Sequence, residues 1–387
     1  MSKLDKLINE LCPNGVEIKK LNEVALLKRG TSLTKSKATN GDIPVISGGK
    51  VPAFYCDTFN RKGETITVAG SGAGAGYVQY WNEPIFASDC FTIKGRESIE
   101  TKFLYYFMSN IQDKIYSTKK GGGVPHVHIS DVENFVVPIP PISVQREIIR
   151  ILDNFTELTA ELTAELTARK KQYEYYRDKL LSYSMGVKYY KLCDIGKFYG
   201  GLSGKTKDDF ADGNCKYITY MNVYNNIAVD FSITEKVKII ANERQNCLKY
   251  GDIIFTGSSE TQDECGYSSV VTEKLEEDIY LNSFCFFLRL NDINLLNPDF
   301  AKYLFRSNSI RKQIINTASG VTRFNVSKKK MENIVLGIPS MDIQQRIIKI
   351  LDKFDMICSD LNIGLPAEIE ARKKQYEYYR DKLLEFK

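Results

Sequence analysis

The sequence predicts an α+β chain in which two repeated, strand-rich domains are separated by two long antiparallel coiled-coil helices. Three observations support this fold class. The stretch ARKKQYEYYRDKLL occurs twice without a change, at 168–181 and at 371–384. A similar order of strand-like runs and loops precedes each copy, and an apolar stripe typical of a long helix runs into each. A segment duplicated so completely indicates a structural part that the chain uses twice.

The two halves keep the same order of local features between their ends. Short β-branched runs are followed by a strand that enters a small-residue turn, and a hydrophobic strand then precedes each long helix. The matching stretches are IPVI at 43–46 and KYIT at 216–219, KGETITVAGSG at 62–72 and YGDIIFTGSSE at 250–260, and VENFVVPIP at 132–140 and MENIVLGIP at 331–339. The predicted segments are a first domain at 1–141, a central helix at 142–184, a second domain at 185–340 and a C-terminal helix at 341–387.

Each long helix carries apolar residues three or four positions apart, which gives one apolar stripe. About 40 residues of helix span roughly 60 Å and need a partner along most of that length, and the duplicate helix is the obvious one. Gly364 and Pro366 interrupt the second helix, so we expect a kink near 364–366. The residues expected to pack in this coiled coil are Leu152, Phe155, Leu158, Leu162, Leu166, Tyr173, Tyr176, Leu180, Leu351, Phe354, Tyr376, Tyr379 and Leu383.

The central helix also contains a shorter repeat. Residues 157–168 are the four-residue unit ELTA three times. Because four residues slightly exceed one helical turn, each unit lengthens the helix by about 6 Å and rotates the chain after it by about 40°. The repeat therefore predicts a spacer whose length changes in fixed steps.

The composition indicates a folded protein without disulfides or membrane spans. Of the 387 residues, 43% are hydrophobic and 26% are charged, and the net charge of +5 permits nucleic-acid binding without requiring it. The nine cysteines are scattered with no CxxC pair, and no run approaches the roughly 18 apolar residues of a membrane span. We therefore expect a reduced, cytoplasmic protein.

Three stretches imitate catalytic motifs without meeting their requirements. YGGLSGKT at 199–206 has tyrosine where a phosphate-binding P-loop needs glycine. GSGAGAG at 70–76 follows a strand, as a dinucleotide motif should, but the residues after it favour another strand and not a helix. NPDF at 297–300 departs from the [DN]PP[YF] tetrad of DNA methyltransferases, so we interpret it as a helix start capped by Asn297 or Asp299. We expect no catalytic residues in this chain.

The two histidines, His126 and His128, are two residues apart and could be considered as metal ligands. No cysteine or carboxylate cluster completes them in the sequence, and the second half has Asn325 and Ser327 at the same positions. Because the second half of the duplication lacks both histidines, we expect no metal site here.

The halves agree in framework and differ in one pair of polar loops. STKKGGGVPHVH at 117–128 and TASGVTRFNVSKKK at 317–330 occupy the same place in each half. Both are rich in the residue types that contact phosphates and base edges in DNA. Two different recognition surfaces would have this pattern, and drift of solvated loops is the alternative.

Together these features resemble the specificity subunits of type I restriction-modification enzymes, in the branch with four-residue spacer repeats in the central helix. The resemblance covers essentially the whole chain. It rests on the near-identical helices at 144–182 and 343–385, the IPP and IP lead-ins before them, the terminal KKQYEYYRDKLL and the ELTA units.

The resemblance implies a non-catalytic subunit with two target-recognition domains, each reading one half of a split, asymmetric site in double-stranded DNA. It also implies that the shared helices fix the gap between the half-sites and bind two adenine methyltransferase subunits, which restriction subunits join. This chain would bind no cofactor, since S-adenosylmethionine belongs to the methyltransferase partner, and ATP and Mg to the restriction partner.

No DNA-contacting residue transfers from the family by motif, because its recognition domains diverge most. Residue type and repeat position suggest contacts by Lys35, Lys37, Ser71, Lys119, Lys120, His126 and His128 in the first domain, and by Lys205, Lys207, Ser258, Arg323, Asn325 and Lys328 in the second. Two alternatives from other classes are a self-contained DNA methyltransferase and a coiled-coil scaffold without a role on DNA.

Overall fold

The computed structural model describes residues 3–182, 186–232, 235–359 and 364–386. Its contacts group the chain into a first unit, Met1–Thr163 with Glu368–Lys387, and a second unit, Ala164–Ala367. Each unit therefore combines one strand-rich domain with segments of both long helices. This grouping differs from the four consecutive segments expected at 1–141, 142–184, 185–340 and 341–387, because helix segments that are distant in sequence pack on the same domain core.

The first domain begins with a short amphipathic helix and ends in the long central helix. Its elements are α1 (Lys3–Leu11), β1 (Glu17–Lys20), α2 (Leu21–Val24), β2 (Ala25–Arg29), β3 (Ile43–Ile46), β4 (Phe54–Cys56), β5 (Thr65–Ala69), β6 (Val78–Trp81), β7 (Phe86–Ala87), β8 (Cys90–Gly95), α3 (Thr101–Asn110), α4 (Gln112–Tyr116), α5 (Ile129–Val132), β9 (Val136–Ile139) and α6 (Ile142–Leu181).

The second domain repeats this order from β1 onward, with one added helix and three added short strands. Its elements are β10 (Lys188–Lys191), α7 (Leu192–Ile195), β11 (Gly196–Gly200), β12 (Cys215–Ile218), α8 (Tyr220–Asn225), β13 (Lys236–Val237), β14 (Ile253–Thr256), β15 (Ser258–Ser259), β16 (Ser268–Val270), β17 (Tyr280–Leu281), β18 (Cys285–Leu290), α9 (Pro298–Leu304), α10 (Asn308–Ile315), β19 (Ala318–Ser319), β20 (Phe324–Val326), α11 (Lys328–Met331), β21 (Val335–Ile338), α12 (Met341–Ser359) and α13 (Leu365–Leu384).

Corresponding sheets have the same strand order in the two domains. Antiparallel sheets of four strands run β2-β8-β5-β6 in the first and β11-β18-β14-β16 in the second. Sheets of three strands run β4-β3-β7 and β13-β12-β17, each with one parallel pair. The inner strands β5 and β14 are buried along their whole length, which explains why TITVA and IIFT are β-rich and free of charge. The predicted α+β class and the duplication are confirmed.

A buried glutamine lies in the first turn of α6 and of α12 and bonds each helix to its own domain. Gln145 Nε2 donates to Ser98 O at 3.0 Å and to Pro140 O at 2.8 Å, and its Oε1 accepts from the backbone N–H of Glu100. Gln344 repeats this pattern, donating to Leu295 O and Pro339 O and accepting from the N–H of Asn297. Both side chains are almost fully buried. The amides therefore fix the start of each helix against its own domain.

The NPDF stretch starts a helix, as expected. The Asn297 side chain accepts a hydrogen bond from the N–H of Asp299, and Pro298 occupies the first turn of α9. The second long helix is divided, because α12 ends at Ser359 and α13 begins at Leu365 with Pro366 as its second residue. Of the residues between them, 360–363 lie outside the described part of the chain. Within the described ranges, no helix combines the length and apolar character that crossing a membrane requires.

Candidate nucleic-acid interface

The polar loop of the first unit is joined by backbone pairing to the turn that follows β5. Ser71 in that turn pairs with His126, and His126 also pairs with Lys120 across the loop. The His126 N–H donates to Lys120 O at 2.8 Å, and the Lys120 N–H donates back at 3.0 Å. We call Ser71, Lys120 and His126 the first platform. Three residues proposed from the sequence as DNA contacts therefore lie together.

Around the first platform, the positive charge of Lys120 is partly neutralised by a neighbouring carboxylate. The rings of His126 and His128 stack with their centroids 5.9 Å apart. Lys120 forms an ion pair with Asp131, and the N–H of His128 donates to the same carboxylate at 2.8 Å. Burial alone would raise the pKa of Asp131, but the hydrogen bonds from Lys120 and His128 outweigh it and lower the pKa. The described residues hold no cluster of three metal-ligating side chains here or elsewhere.

A cleft of about 590 Å³ opens beside the two histidines. Arg29 and Asp89 line it together with His126 and His128. The Ser71 hydroxyl donates to the Asp89 carboxylate, which links the platform to the lining of the cleft. The sequence did not single out Arg29 or Asp89, although Arg29 opens the Gly- and Lys-rich loop that both halves share.

The remaining candidates of the first unit lie apart from this cleft or at its edge. Lys35 and Lys37 form an exposed 3₁₀ turn, and Lys35 lines a separate cleft of about 370 Å³. Lys119 extends over the ring of Tyr116, with its Nζ 4.1 Å from the ring centroid. Of the seven candidates, three form the first platform, His128 stacks on it, Lys119 precedes Lys120, and Lys35 and Lys37 form a separate turn.

The second unit contains the same pairing pattern with different side chains. Ser258 in β15 pairs with Asn325 in β20, and Asn325 also pairs with Ser319 in β19. We call Ser258, Ser319 and Asn325 the second platform. Arg323 Nε donates to Ser258 Oγ at 3.1 Å, so this arginine lies against the platform. Because Ser258 and Asn325 correspond to Ser71 and His126, the duplication preserves the backbone geometry of the site.

A larger cleft of about 950 Å³ adjoins the second platform. Tyr220 and Tyr224 from α8 line it with Phe284 and Glu264. The Tyr220 hydroxyl donates to Ser258 O at 2.8 Å, and the Tyr224 hydroxyl donates to Glu264 at 2.8 Å. Hydrogen bonds from Thr261 and Tyr224 lower the pKa of Glu264. These cleft residues were missed, although the stacked tyrosines four positions apart are a detectable helical signal.

The three lysines proposed in the second unit have different environments. The Lys205 side chain is 8% exposed, and its ammonium forms an ion pair with Glu243 at 2.6 Å and donates to Lys238 O. Lys207 begins an exposed 3₁₀ turn, and Lys328 begins α11 with its ammonium 5.3 Å from the ring centroid of Phe286. The ammonium of Lys205 is therefore already engaged within the domain, and a contact with DNA would require this ion pair to break.

In each unit, one helix side chain hydrogen-bonds to the backbone of the turn next to the platform. Gln112 Nε2 donates to Gly76 O at 2.7 Å, which holds the turn after β5 in the first unit. Arg311 takes this place in the second unit, donating to Gly266 O and Cys265 O at 2.6 Å and to Asp263 O at 2.8 Å. The Arg311 guanidinium lies over Tyr267 at 4.6 Å and is buried. The chain thus holds equivalent turns with different chemistry.

In the first unit, part of the predicted coiled-coil stripe packs on the domain core. Leu152 is fully buried, and the rings of Phe155 and Tyr379 stack 5.4 Å apart. Tyr376 and Leu383 pack against the same core. The candidates Leu158 and Leu162 are half-buried on α6. The packing candidates of this unit thus include residues that contact the domain as well as the other helix.

In the second unit, the rings of Tyr176 and Phe354 stack 5.6 Å apart. Tyr173, one turn earlier on α6, lies close to Asp355, so the two helix segments run antiparallel here. The candidates Tyr173 and Leu180 pack on a core that contains the fully buried Leu351, whereas Leu166 is half-buried. Arg177, in the duplicated stretch, is only 9% exposed, because it packs on Tyr173 and pairs with Asp178.

Comparisons with known proteins match this architecture. The family model described as a type I restriction modification DNA specificity domain matches residues 13–169 and 185–371. The specificity subunit of the Escherichia coli type I restriction enzyme EcoR124I/EcoR124II is 32% identical over 305 residues, which cover 74% of this chain and 70% of that protein. A putative type I specificity subunit of Haemophilus influenzae, S.HindORF215P, is 28% identical and covers 96% of both chains.

Two solved structures share the fold over nearly the whole chain. The type I restriction-modification S subunit from M. genitalium has a TM-score of 0.53 at 19% identity, with 96% of each chain covered. A chain from a structural study of complex assembly and conformational transition of the type I R-M system has a TM-score of 0.62 at 18% identity, covering 96% of this chain and 98% of that one.

Proposed function

This chain belongs to the DNA specificity family of type I restriction-modification systems, and we propose that its two platforms read the two halves of a split, asymmetric DNA site. The main support for this proposal is that the same backbone arrangement occurs in both units with different side chains. The Ser71 and His126 pair has its counterpart in Ser258 and Asn325. Equivalent frameworks give equivalent placement on DNA, while unlike side chains give unlike sequence preferences.

We propose that the chain itself performs no chemistry. The methyl group donor S-adenosylmethionine is then bound by two adenine methyltransferase partners, and ATP with Mg by restriction partners. The duplicated stretch supports two copies of one partner, because Tyr175 and Tyr378 occupy the same place in it and are about equally exposed, at 61% and 60%. Such exposed aromatic side chains are enriched at protein interfaces. Since DNA is the substrate, we place this function in the cytoplasm.

The test is to assemble the full chain with its methyltransferase partners and determine the methylated sequences in cells and the duplexes bound in vitro. We expect two unlike half-sites separated by a fixed gap. A complex that binds all duplexes equally would refute the proposal and favour a scaffold. Methyl transfer from S-adenosylmethionine by the purified chain alone would instead favour a self-contained methyltransferase.

The ELTA units allow a second test of the same proposal. Deleting Glu161–Ala164 removes one unit, which shortens the helix by about 6 Å and changes its phase by about 40°. B-DNA advances about 3.4 Å and turns roughly 34° per base pair, so we expect a gap one base pair shorter with both half-sites unchanged. Methylome sequencing measures all three quantities together. Loss of both half-sites would contradict a spacer role.

A further inference from the structure

The tip of the polar loop carries different chemistry in the two units. Arg323 lies two residues before Asn325, and Val124 lies two residues before His126, so the two side chains occupy equivalent places. Val124 is 54% exposed and has no polar group on its side chain. Only the second unit therefore presents a hydrogen-bond donor from this position.

The Arg323 guanidinium is oriented before any ligand binds. Its Nε donates to Ser258 Oγ, and its central carbon lies 5.5 Å from the ring centroid of Phe284. The loop behind it is tight, because a Cβ on Gly320 would stand 2.0 Å from Arg323 O, and Gly320 has a φ of 150° that other residues rarely adopt. The hydrogen bond to Ser258 uses Nε and not Nη1 or Nη2, and Arg323 lines the cleft beside the second platform.

The residue that orients Arg323 is itself fixed. Ser258 is 6% exposed, its backbone pairs with Asn325, and its carbonyl accepts from the Tyr220 hydroxyl. A donor fork supported by a buried neighbour keeps its geometry and loses little entropy on binding. Arg323 is therefore suited to a ligand that presents two acceptors side by side.

Two parts of DNA present such acceptors to arginine: the phosphate group, and the O6 and N7 edge of guanine in the major groove. Glu260 and Glu264 line the same cleft as Arg323. Carboxylates repel a phosphate, which carries a full negative charge, more strongly than the edge of a base, which carries no net charge. The surroundings thus favour the base over the backbone.

We propose that Arg323 reads a guanine through O6 and N7 within the half-site that the second unit contacts. This inference rests on the proposed function and adds the identity of one base to it. Since the Val124 side chain can neither donate nor accept at the equivalent position, no such guanine contact is made from the tip of the first unit's loop.

The experiment uses the complete complex with its methyltransferase partners and compares the wild-type chain with R323A, R323K and the matched control V124A. We expect R323A to relax the preference at one guanine of one half-site, reducing discrimination there roughly 10- to 100-fold. R323K keeps the charge but loses the planar fork, so it should relax the same position. V124A should leave the preference at that guanine unchanged, and unchanged preferences at the other bases of both half-sites show that each variant is folded.

Base analogues at the affected position identify the atoms that are read. Replacing the guanine by 7-deazaguanine removes N7 and should weaken wild-type binding, with little further effect on R323A, whereas hypoxanthine keeps O6 and N7 and should bind like guanine. The inference is overturned if the affected position is not guanine, or if R323A weakens all duplexes equally with a smaller salt dependence, which indicates a phosphate contact. Absence of any sequence preference in the wild-type complex would instead refute the proposed function.

Discussion

The two platforms share a backbone and differ in nearly every side chain that faces outward. In the first, Lys120 is paired with Asp131, and the loop tip is the apolar Val124. In the second, Ser319 stands at the position of Lys120, and the tip is Arg323. The comparison indicates that the strand pairing fixes where the loop lies, while the chemistry of the exposed surface varies independently. Such a division suits a fold that must accept new DNA sequences without losing its framework.

The support beneath each platform follows the same division. A neutral Gln112 holds the turn of the first unit through Gly76 O, whereas the cationic Arg311 holds three carbonyls of the second. Burial lowers the pKa of Arg311, whereas its hydrogen bonds to carbonyls and the ring of Tyr267 stabilise the charged guanidinium. The turn of the second unit therefore depends more strongly on its single supporting side chain, Arg311, than the turn of the first unit depends on Gln112.

The largest expected effect comes from removing that support. R311A leaves three backbone carbonyls without their donor, which we expect to cost about 3–5 kcal/mol in the free energy of unfolding of the second unit and to abolish recognition of its half-site. Q112A, the matched change, removes two hydrogen bonds and should cost about 1–3 kcal/mol in the first unit. Denaturant unfolding, with hydrogen exchange to assign each unit, measures both. A cost for R311A no larger than for Q112A would contradict this difference.

The two helix starts have the same contacts, so we expect equivalent substitutions there to have equal costs in stability, in contrast to substitutions at the two platforms. Gln145 and Gln344 each make three hydrogen bonds in nearly the same geometry. We expect Q145A and Q344A to cost about 2 kcal/mol each, because buried partners are left unpaired. The same unfolding measurement applies, with the exposed N154A as a control on α6. Costs that differ by more than about 1 kcal/mol would show that the two helix starts are not equivalent.

A smaller effect should distinguish the units by pH. Glu147 on α6 accepts hydrogen bonds from Arg150 and from Lys3 of α1, and these contacts lower its pKa from the usual 4.5 to about 2. The position of Glu147 in the second repeat is occupied by Arg346. Because the folded-state pKa is lowered, the stabilisation is complete above pH 4.5 and disappears as the pH falls toward 2.

We therefore expect the stability of the first unit to decline across the window from pH 4.5 to pH 2 more steeply than in the variant E147Q. Hydrogen exchange of α1 and the start of α6 at several pH values measures this. An unchanged slope in E147Q would show that other carboxylates dominate acid unfolding of this unit.

Much of the framework was predictable because its signals are local and occur twice. The strand IPVI and the central helix, expected at 142–184 and found at Ile142–Leu181, follow from short-range periodicity and turn chemistry. Ser71 and Ser258 were singled out because each follows a strand at the same point of the repeat, and the structure places them at equivalent positions of the two platforms. The duplication thus acted as an internal comparison that a single domain would not have offered.

The cleft residues were less predictable for a physical reason. Tyr220 meets Ser258 across 38 positions, and Arg323 meets the same serine across 65, through strand pairing that no local pattern encodes. Helix α8, which carries Tyr220, has no counterpart between β3 and β4, so the repeat could not draw attention to it. Lys205 illustrates the opposite case, because the sequence shows a lysine in a polar loop and only the structure places its partner Glu243 beside it.

The smallest expected effects concern the exposed lysine turns that begin at Lys35 and Lys207. K37A and K207A should each weaken binding to all duplexes about equally and reduce the dependence of affinity on salt by about one phosphate contact, without changing either half-site, because a lysine on the DNA backbone carries no sequence information. K205A separates this role from a structural one: it breaks a buried ion pair, so it should lower stability with no effect on the salt slope of the folded complex. Titrations at several salt concentrations measure the slopes. A shift in sequence preference in K37A but not in K207A would mean that the lysine turn of the first unit contacts bases while that of the second does not. The two units would then differ in their lysine turns as well as in their platforms.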